Sequence, residues 1–252
     1  ADEIVLEWGL RVIFYLSLEA GIVSRVISCG GVDLLAQSLR THVTCDDIIV
    51  WSCRTLCNCI LTLDTVSPED RTICQNKFSQ QLVLEILIHE FVERLSVLSL
   101  LATQWILKSI GCLARRHEHN MLTFVELGVC QQLQRVVAQF SLENEKIAES
   151  VCWVIGNISY PSEDAQQRWG AGGACEMVMS VLKRHVGSEE TVQEALRAVR
   201  NLCYDNEANL EILRGLNVAE VVMGVMRRHQ DSSGVVLQWL WYAVAALAEY
   251  RP

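Results

Sequence analysis

The chain has 252 residues, 51% hydrophobic and 20% charged, with a formal net charge of −9, 14 Gly and only 3 Pro. This composition excludes a disordered chain, which lacks the apolar content to fold, and a collagen, which needs Gly at every third position. The acidic balance argues against a nucleic-acid ligand, although a local basic stripe stays open.

Scarce Pro predicts an all-α fold, because Pro punctuates strand-rich chains and is nearly absent where helix follows helix. The first residue is Ala1, with no basic n-region and no cleavage site, so no secretory signal is read and the chain is expected to be part of a longer protein. The most apolar stretch, Leu82 to Ala114, is broken by Glu85, His89, Glu90, Glu93, Arg94, Gln104 and Lys108. Roughly 18 consecutive apolar residues never accumulate, so no membrane span is expected. The 11 Cys are an odd number, and Cys53, Cys57, Cys112, Cys130, Cys152 and Cys203 sit in apolar helical runs as small hydrophobes. A reducing compartment, the cytoplasm or nucleus, is expected.

Six segments share one pattern: LEWGLRVIFYLS, VWSCRTLCNCI, TQWILKSIGCLA, ESVCWVIGNIS, VQEALRAVRNLC and LQWLWYAVAALA. Aligned on their penultimate column, position zero falls on Tyr15, Asn58, Cys112, Asn157, Asn201 and Ala246, at intervals of 43, 54, 45, 44 and 45. A fixed period of this size is the signature of stacked helical repeats. Sixteen residues after position zero stand Gly31, Gly128, Gly173 and Asn217, residues that tolerate the left-handed conformation joining one helix to the next. Each unit is therefore predicted to hold a short helix, a Gly/Asn turn, a medium helix, a polar loop and a long third helix. Ser67-Pro68-Glu69-Asp70 and Pro161-Ser162-Glu163-Asp164 look like helix starts, and Ser188-Glu189-Glu190 opens a third helix with a capping Ser.

The units run over residues 1–17 (a lone third helix), 18–61, 62–115, 116–160, 161–204 and 205–252, as one repeat domain. The 54-residue interval carries an insertion and no clear glycine column: Thr62 to Gln81 is expected to hold a longer loop or a displaced helix. The helices Leu82 to Phe91 and Leu95 to Ala114 are expected to run long.

A three-helix unit with this Gly and a "WxxxN"-like third helix resembles the armadillo repeat family, most cleanly from Ile158 through Asn201. The related HEAT repeat fits the 62–115 unit. The resemblance spans nearly the whole chain and implies a right-handed α-α superhelix, about five full three-helix repeats plus a leading third helix. No unit buries its own apolar face, so neighbours stack around one continuous core.

Residues at zero, −4 and −7 share one helix face. These columns read Trp8, Arg11, Tyr15; Trp51, Arg54, Asn58; Trp105, Lys108, Cys112; Ser150, Trp153, Asn157; Glu194, Arg197, Asn201; and Trp239, Tyr242, Ala246. Val12, Leu56, Ile110, Ile155, Val199 and Val244 supply the aliphatic core on another face. The resemblance implies that such third helices line a concave groove, where Asn bonds the backbone of an extended peptide and Trp rings form slots for its side chains. Asn offers both donor and acceptor, and Trp and Arg are the residues most enriched at binding hot spots. Trp153 with Asn157 is the full "WxxxN" pair and the leading site; Asn201, Arg197, Asn58, Arg54, Trp51, Trp105, Lys108, Arg11, Trp8, Trp239 and Tyr242 complete the candidate groove. Equally, a Trp of this column can pack between adjacent third helices and an Arg can bridge to a carboxylate. Arg11, Arg54, Lys108 and Arg197 against Glu194 give the columns +3, so an acidic or phosphorylated extended ligand is expected.

Cys53 and Cys57 lack a second ligand pair, His117-Glu118-His119 reads as a solvated charged loop, and RWGAGGA does not follow a strand, so no metal site and no dinucleotide fingerprint is expected. No nucleophile with its base, carboxylate pair or phosphate loop is found, and the chain is read as a non-enzymatic interaction module without cofactor. Its partner is a protein or peptide, not nucleic acid or membrane, and the sequence leaves oligomeric state open. The family includes transport adaptors, adhesion and signalling scaffolds, and substrate receptors. The alternative is a regulatory or oligomerising solenoid of a larger enzyme or kinase; an importin-like role is disfavoured by the basic −4 column.

Overall fold

The computed structural model describes residues 2–80, 82–91, 94–141, 143–231 and 234–248. Every regular element among them is helical. The leading helix α1 (Glu3–Leu16) is followed by α2 (Ala20–Ser28), α3 (Gly31–Thr41) and the long α4 (Asp46–Val66). The insertion repeat holds α5 (Pro68–Gln80), the short α6 (Val83–Glu85) running into a π-helical stretch at Ile86–Phe91, and α7 (Leu100–Ala114). Then come α8 (Glu118–Glu126), α9 (Val129–Val136) extended by a π-helical turn at Val137–Ser141, and α10 (Glu145–Ile158). The last two repeats are α11 (Glu163–Ala171), α12 (Ala174–Arg184), α13 (Glu189–Cys203) and α14 (Glu207–Gly215), α15 (Val218–Arg228), α16 (Gly234–Ala248). All six predicted third helices are present.

Two compact units result, Ala1–Asn120 and Met121–Pro252. In the first, the third helices α1, α4 and α7 lie side by side; in the second, α10, α13 and α16 do the same. The shorter helices cover one side of each layer and bury the predicted aliphatic positions Leu56, Ile110, Ile155 and Val199. Val12 is 56% exposed, because among the described residues α1 packs on α4 and α2 with its other side, and Val244 is half-buried.

Polar residues set the helix starts. The side chains of Asp2, Ser99, Asn144, Ser162 and Asn206 occupy N-caps and accept from backbone N–H groups one turn in, each such bond stabilising the terminus by about 1 kcal/mol. Ser188 takes the cap position of α13, but its hydroxyl meets the Thr191 hydroxyl at 3.1 Å instead.

The turn between first and second helices is left-handed in every repeat. Gly128, Gly173 and Asn217 fill it as predicted, with φ of 73°, 96° and 60°. In the 18–61 repeat the residue is Gly30, φ 84°, rather than Gly31, which begins α3 so close to Val26 that a Cβ would stand 2.4 Å from a Val26 methyl. In the insertion repeat it is Leu82, φ 56°. The column was invisible there because a leucine stands where the others have Gly or Asn.

The insertion is absorbed by helix, not loop: α4 continues to Val66 and α5 fills 68–80, with Gln81 outside the described residues. The long third helix expected from Leu95 starts only at Leu100, because Ser99 caps it there and its own N–H is held by Asp46 at 2.9 Å. No single described helix is long and apolar enough to cross a membrane. The pair α2 and α3 passes that test only together, bent by 71°, and both pack on α4.

Candidate functional site

On the N-terminal unit the −7 and −4 columns interleave. The Arg11 guanidinium lies 4.7 Å from the Trp8 ring and 4.9 Å from the Trp51 ring. Arg54 lies 4.4 Å from Trp51, 4.7 Å from Phe14 and 5.2 Å from Trp105, and the Lys108 ammonium lies 5.6 Å from Trp105. Rings and cations therefore alternate across α1, α4 and α7, each contact worth about 0.5–1 kcal/mol at a partly exposed site. Arg11 is ion-paired with Glu7. Arg54 has a different environment: three rings surround it, its Nε is buried without a hydrogen-bond partner, and no carboxylate pairs with it among the described residues. Asn58 donates to the Ser17 hydroxyl at 3.0 Å and the Phe14 carbonyl at 3.4 Å, tying α4 to the end of α1.

The C-terminal unit uses the same columns differently. Asn157 is 4% exposed; its amide donates to the Trp153 carbonyl at 3.0 Å and its Oδ1 accepts from Arg197 at 3.2 Å. Arg197 in turn stacks 4.9 Å over the Trp153 ring and pairs with Glu194 at 2.8 Å. Asn201 is 6% exposed, donates to the Gly156 carbonyl at 2.7 Å and accepts from Arg200 at 2.9 Å. Trp153, Asn157, Arg197 and Asn201 are thus brought together as expected, but both ends of each Asn amide are engaged within the protein. The +3 count, which already sets Glu194 against Arg197, also loses Arg11 to Glu7, and Arg54 is its clearest remaining carrier. On α16 the Trp239 and Tyr242 rings meet edge to face at 5.5 Å, and Tyr242 is 47% exposed.

Three features escaped the sequence reading. Arg200 stacks 4.5 Å from the Tyr204 ring and 5.0 Å from Tyr160, beside a cleft of about 180 Å³ that Glu163 and Asp205 also line. Asp64 accepts from Arg71 and, at 2.8 Å, from Arg115, with Arg116 at 3.8 Å. Burial alone would raise the Asp64 carboxyl, but the bonds from Arg115 and Arg71 and the charges of Arg115 and Arg116 hold it below the usual carboxylate range. Gln75 donates to the Cys112, Leu113 and Arg115 carbonyls at the end of α7, and Gln166 does the same for Asn201 and Tyr204 at the end of α13. The third-helix ends are thereby satisfied from the first helix of the same repeat. Partners 35 to 40 residues apart leave no local signal.

His117 is not in a solvated loop. It is 7% exposed, and its Nδ1 accepts the Asn120 N–H at 3.3 Å as a cap on α8. Cys53, Cys57, Cys112, Cys130, Cys152 and Cys203 are all buried thiols. Burial pushes the Cys130 thiol up to about 12, far from a reactive thiolate.

No family model and no curated protein matches the chain. Solved structures do. An engineered protein matches at 17% identity with a TM-score of 0.83, covering 99% of this chain and 95% of that one. A designed armadillo repeat protein in complex with the peptide (KR)4 matches at 17% identity with a TM-score of 0.77, covering 98% of this chain and 95% of that one. The fold is that of the armadillo repeat. A structure from work on a phosphorylation switch in the cadherin and beta-catenin interaction also matches, at 15% identity and a TM-score of 0.73, with 99% of this chain aligned to 44% of that one. The armadillo fold accounts for the recurring left-handed turn and for the layers of third helices that carry the aromatic and cationic columns.

Proposed function

We propose that this armadillo domain is a non-enzymatic scaffold that holds an extended segment of another protein against the third-helix face of its N-terminal unit. The observation that carries the reading is Arg54: a cation fixed by Phe14, Trp51 and Trp105 without a carboxylate partner among the described residues. Such a group is preorganised to receive a carboxylate or phosphate, and the flanking Trp rings offer flat apolar surface beside it. Armadillo relatives of known structure support the class of ligand, since one designed member is bound to a peptide. That peptide, (KR)4, is basic, whereas Arg54 favours an acidic or phosphorylated segment here. On the C-terminal unit a ligand backbone reaches Asn157 or Asn201 only by displacing Arg197 or Arg200, so the proposed groove centres on Trp8, Arg11, Trp51, Arg54, Asn58, Trp105 and Lys108.

Peptide display against the intact chain, followed by fluorescence titration of the selected sequences, tests the reading. Acidic sequences should emerge, Arg54→Ala should weaken them about tenfold or more, and association should slow as salt is raised. Selection of Lys/Arg-rich sequences, or binding indifferent to Arg54→Ala, would overturn it. A second reading, an oligomerising or regulatory solenoid inside a larger enzyme or kinase, is favoured by the apolar face of α1, where Ile4, Val5, Trp8, Val12 and Tyr15 are all more than half exposed. It requires concentration-dependent self-association or a stable complex with a catalytic chain, and a strictly monomeric protein in sedimentation would exclude the self-association form.

A further inference from the structure

Beyond the ring-and-cation face, the rim of the N-terminal unit gathers positive charge of another kind. Asp64, in the last turn of α4, is shared by Arg71 from the first turns of α5 and by Arg115 and Arg116 just past the end of α7. Three guanidiniums lie within 4 Å of this one carboxylate. They are graded by exposure. The Arg71 side chain is 7% exposed and Asp64 9%, Arg115 is 24% exposed, and Arg116 is 60% exposed with a left-handed backbone, φ 52°. Arg71 Nε is buried without a hydrogen-bond partner. Arg116 reaches Asp64 only at 3.8 Å, beyond good hydrogen-bond range, so its fork of donors is largely uncommitted. Glu69, Asp70 and Glu118 are neighbours in sequence, yet Asp64 is the carboxylate that Arg71 and Arg116 pair with.

Keeping two buried charges paired while a third cation stands outside has a physical consequence. The Asp64–Arg71 and Asp64–Arg115 bonds fix the guanidinium planes, so an incoming dianion meets donors already in place and pays little ordering cost. A phosphate monoester carries about −1.5 to −2 charge and three acceptor oxygens, which suit the planar forks of several guanidiniums at once. A single carboxylate brings less charge and one oxygen fewer. The location also fits: Arg115 and Arg116 lie three and four residues beyond Cys112, the position-zero residue of α7, at the end of the layer carrying Trp105 and Lys108.

We propose that Arg71, Arg115 and Arg116, organised by Asp64, form a receptor site for a phosphoserine or phosphothreonine on the bound peptide. This rests on the peptide-binding reading above and supplies it with a phosphorylation-dependent anchor. The anchor and the Arg54 groove are separate sites on one unit, so a ligand engaging both gains from the second as an intramolecular contact.

The test uses the intact chain and three flexible decapeptides of Gly, Ala and Asp differing at one central residue: phosphoserine, Ser or Asp. The phosphoserine peptide should bind about tenfold tighter than the Asp twin and should shift the Arg116 and Arg71 Nε–Hε resonances. Arg116→Ala, a change at an exposed side chain, should abolish that difference while circular dichroism stays native. Equal affinity for the phosphoserine and Asp peptides would overturn the proposal, as would a preference that survives Arg116→Ala. Inorganic phosphate binding as tightly as the phosphoserine peptide would also overturn it, by marking a small-anion site. Arg54→Ala separates the two ideas: if it leaves all three peptides unaffected while Arg116→Ala removes the phosphate preference, the groove reading fails and the anchor stands.

Discussion

The guanidinium of Arg197 is spent on Trp153. It stacks 4.9 Å over the indole, donates to the Trp153 carbonyl at 3.3 Å, and takes Asn157 Oδ1 at 3.2 Å. Two third helices, α10 and α13, are clamped by this one side chain, and Gly156 leaves the room it needs, since a Cβ there would stand 3.1 Å from the guanidinium carbon. Asn157→Leu therefore strands a buried donor of Arg197. A loss of about 1–3 kcal/mol is expected, read as a lower urea midpoint of the isolated chain. An unchanged midpoint together with weakened peptide binding would return Asn157 to the open-ladder role its sequence pattern implies.

The third-helix columns illustrate what sequence alone carries. The period, the helices and the left-handed turns at Gly128, Gly173 and Asn217 are legible because they rest on local choices: apolar spacing, a Ser at a helix start, a Gly or Asn where φ is positive. The same reading places Trp8, Arg11, Trp51, Arg54, Trp105 and Lys108 on one face, and they do meet there. What it cannot carry is who answers whom across repeats. Arg197 reaches back 40 residues to Asn157, and Arg115 reaches back 51 to Asp64. Such partners decide whether an Asn or Arg is offered to a ligand or consumed inside the fold, and no periodicity encodes them.

Leu82 shows a local rule broken. It adopts φ 56° with its side chain 56% exposed, so it bears left-handed strain and buries little in return. That strain costs about 1–2 kcal/mol for a residue with a Cβ, against about 0.5–1 kcal/mol of extra unfolded-state entropy for Gly. Leu82→Gly is expected to stabilise the chain by about 0.5–1 kcal/mol in urea unfolding. Destabilisation would mean that the Leu82 side chain makes a contact worth more than the strain it imposes.

Gly170 is fixed by a contact rather than by its backbone. A Cβ added there would lie 1.6 Å from Asn209 Oδ1. Asn209 cannot step aside cheaply, because its amide donates to the Gln166 carbonyl at 3.0 Å and to the Leu202 carbonyl at 2.9 Å. Gly170→Ala should therefore cost far more than the small helix-propensity gain of up to about 1 kcal/mol that Ala brings. A melting temperature equal to or above that of the parent would show that α11 and α14 can separate without losing those bonds.

His117 gives the N-terminal unit a pH dependence whose sign follows from its partners. Nδ1 accepts the Asn120 N–H at 3.3 Å, so the proton of the neutral ring sits on Nε2 and is donated to Asn76 Oδ1 at 3.0 Å. A second proton on Nδ1 would face an N–H group and break the cap on α8. Burial, the charge of His119 and that of Arg71 all push the His117 imidazole below its usual value of 6.5, outweighing its own backbone hydrogen bond. Because the folded state resists a proton that the unfolded chain accepts near 6.5, stability is complete above that pH and falls as pH drops below it, until the folded ring itself titrates. His117→Asn retains a good N-cap without a titrating ring. Urea unfolding from pH 7.5 to 5 should show a shallower decline for the variant than for the parent. Parallel declines would assign the acid sensitivity to other groups and leave His117 a cap of no consequence for pH.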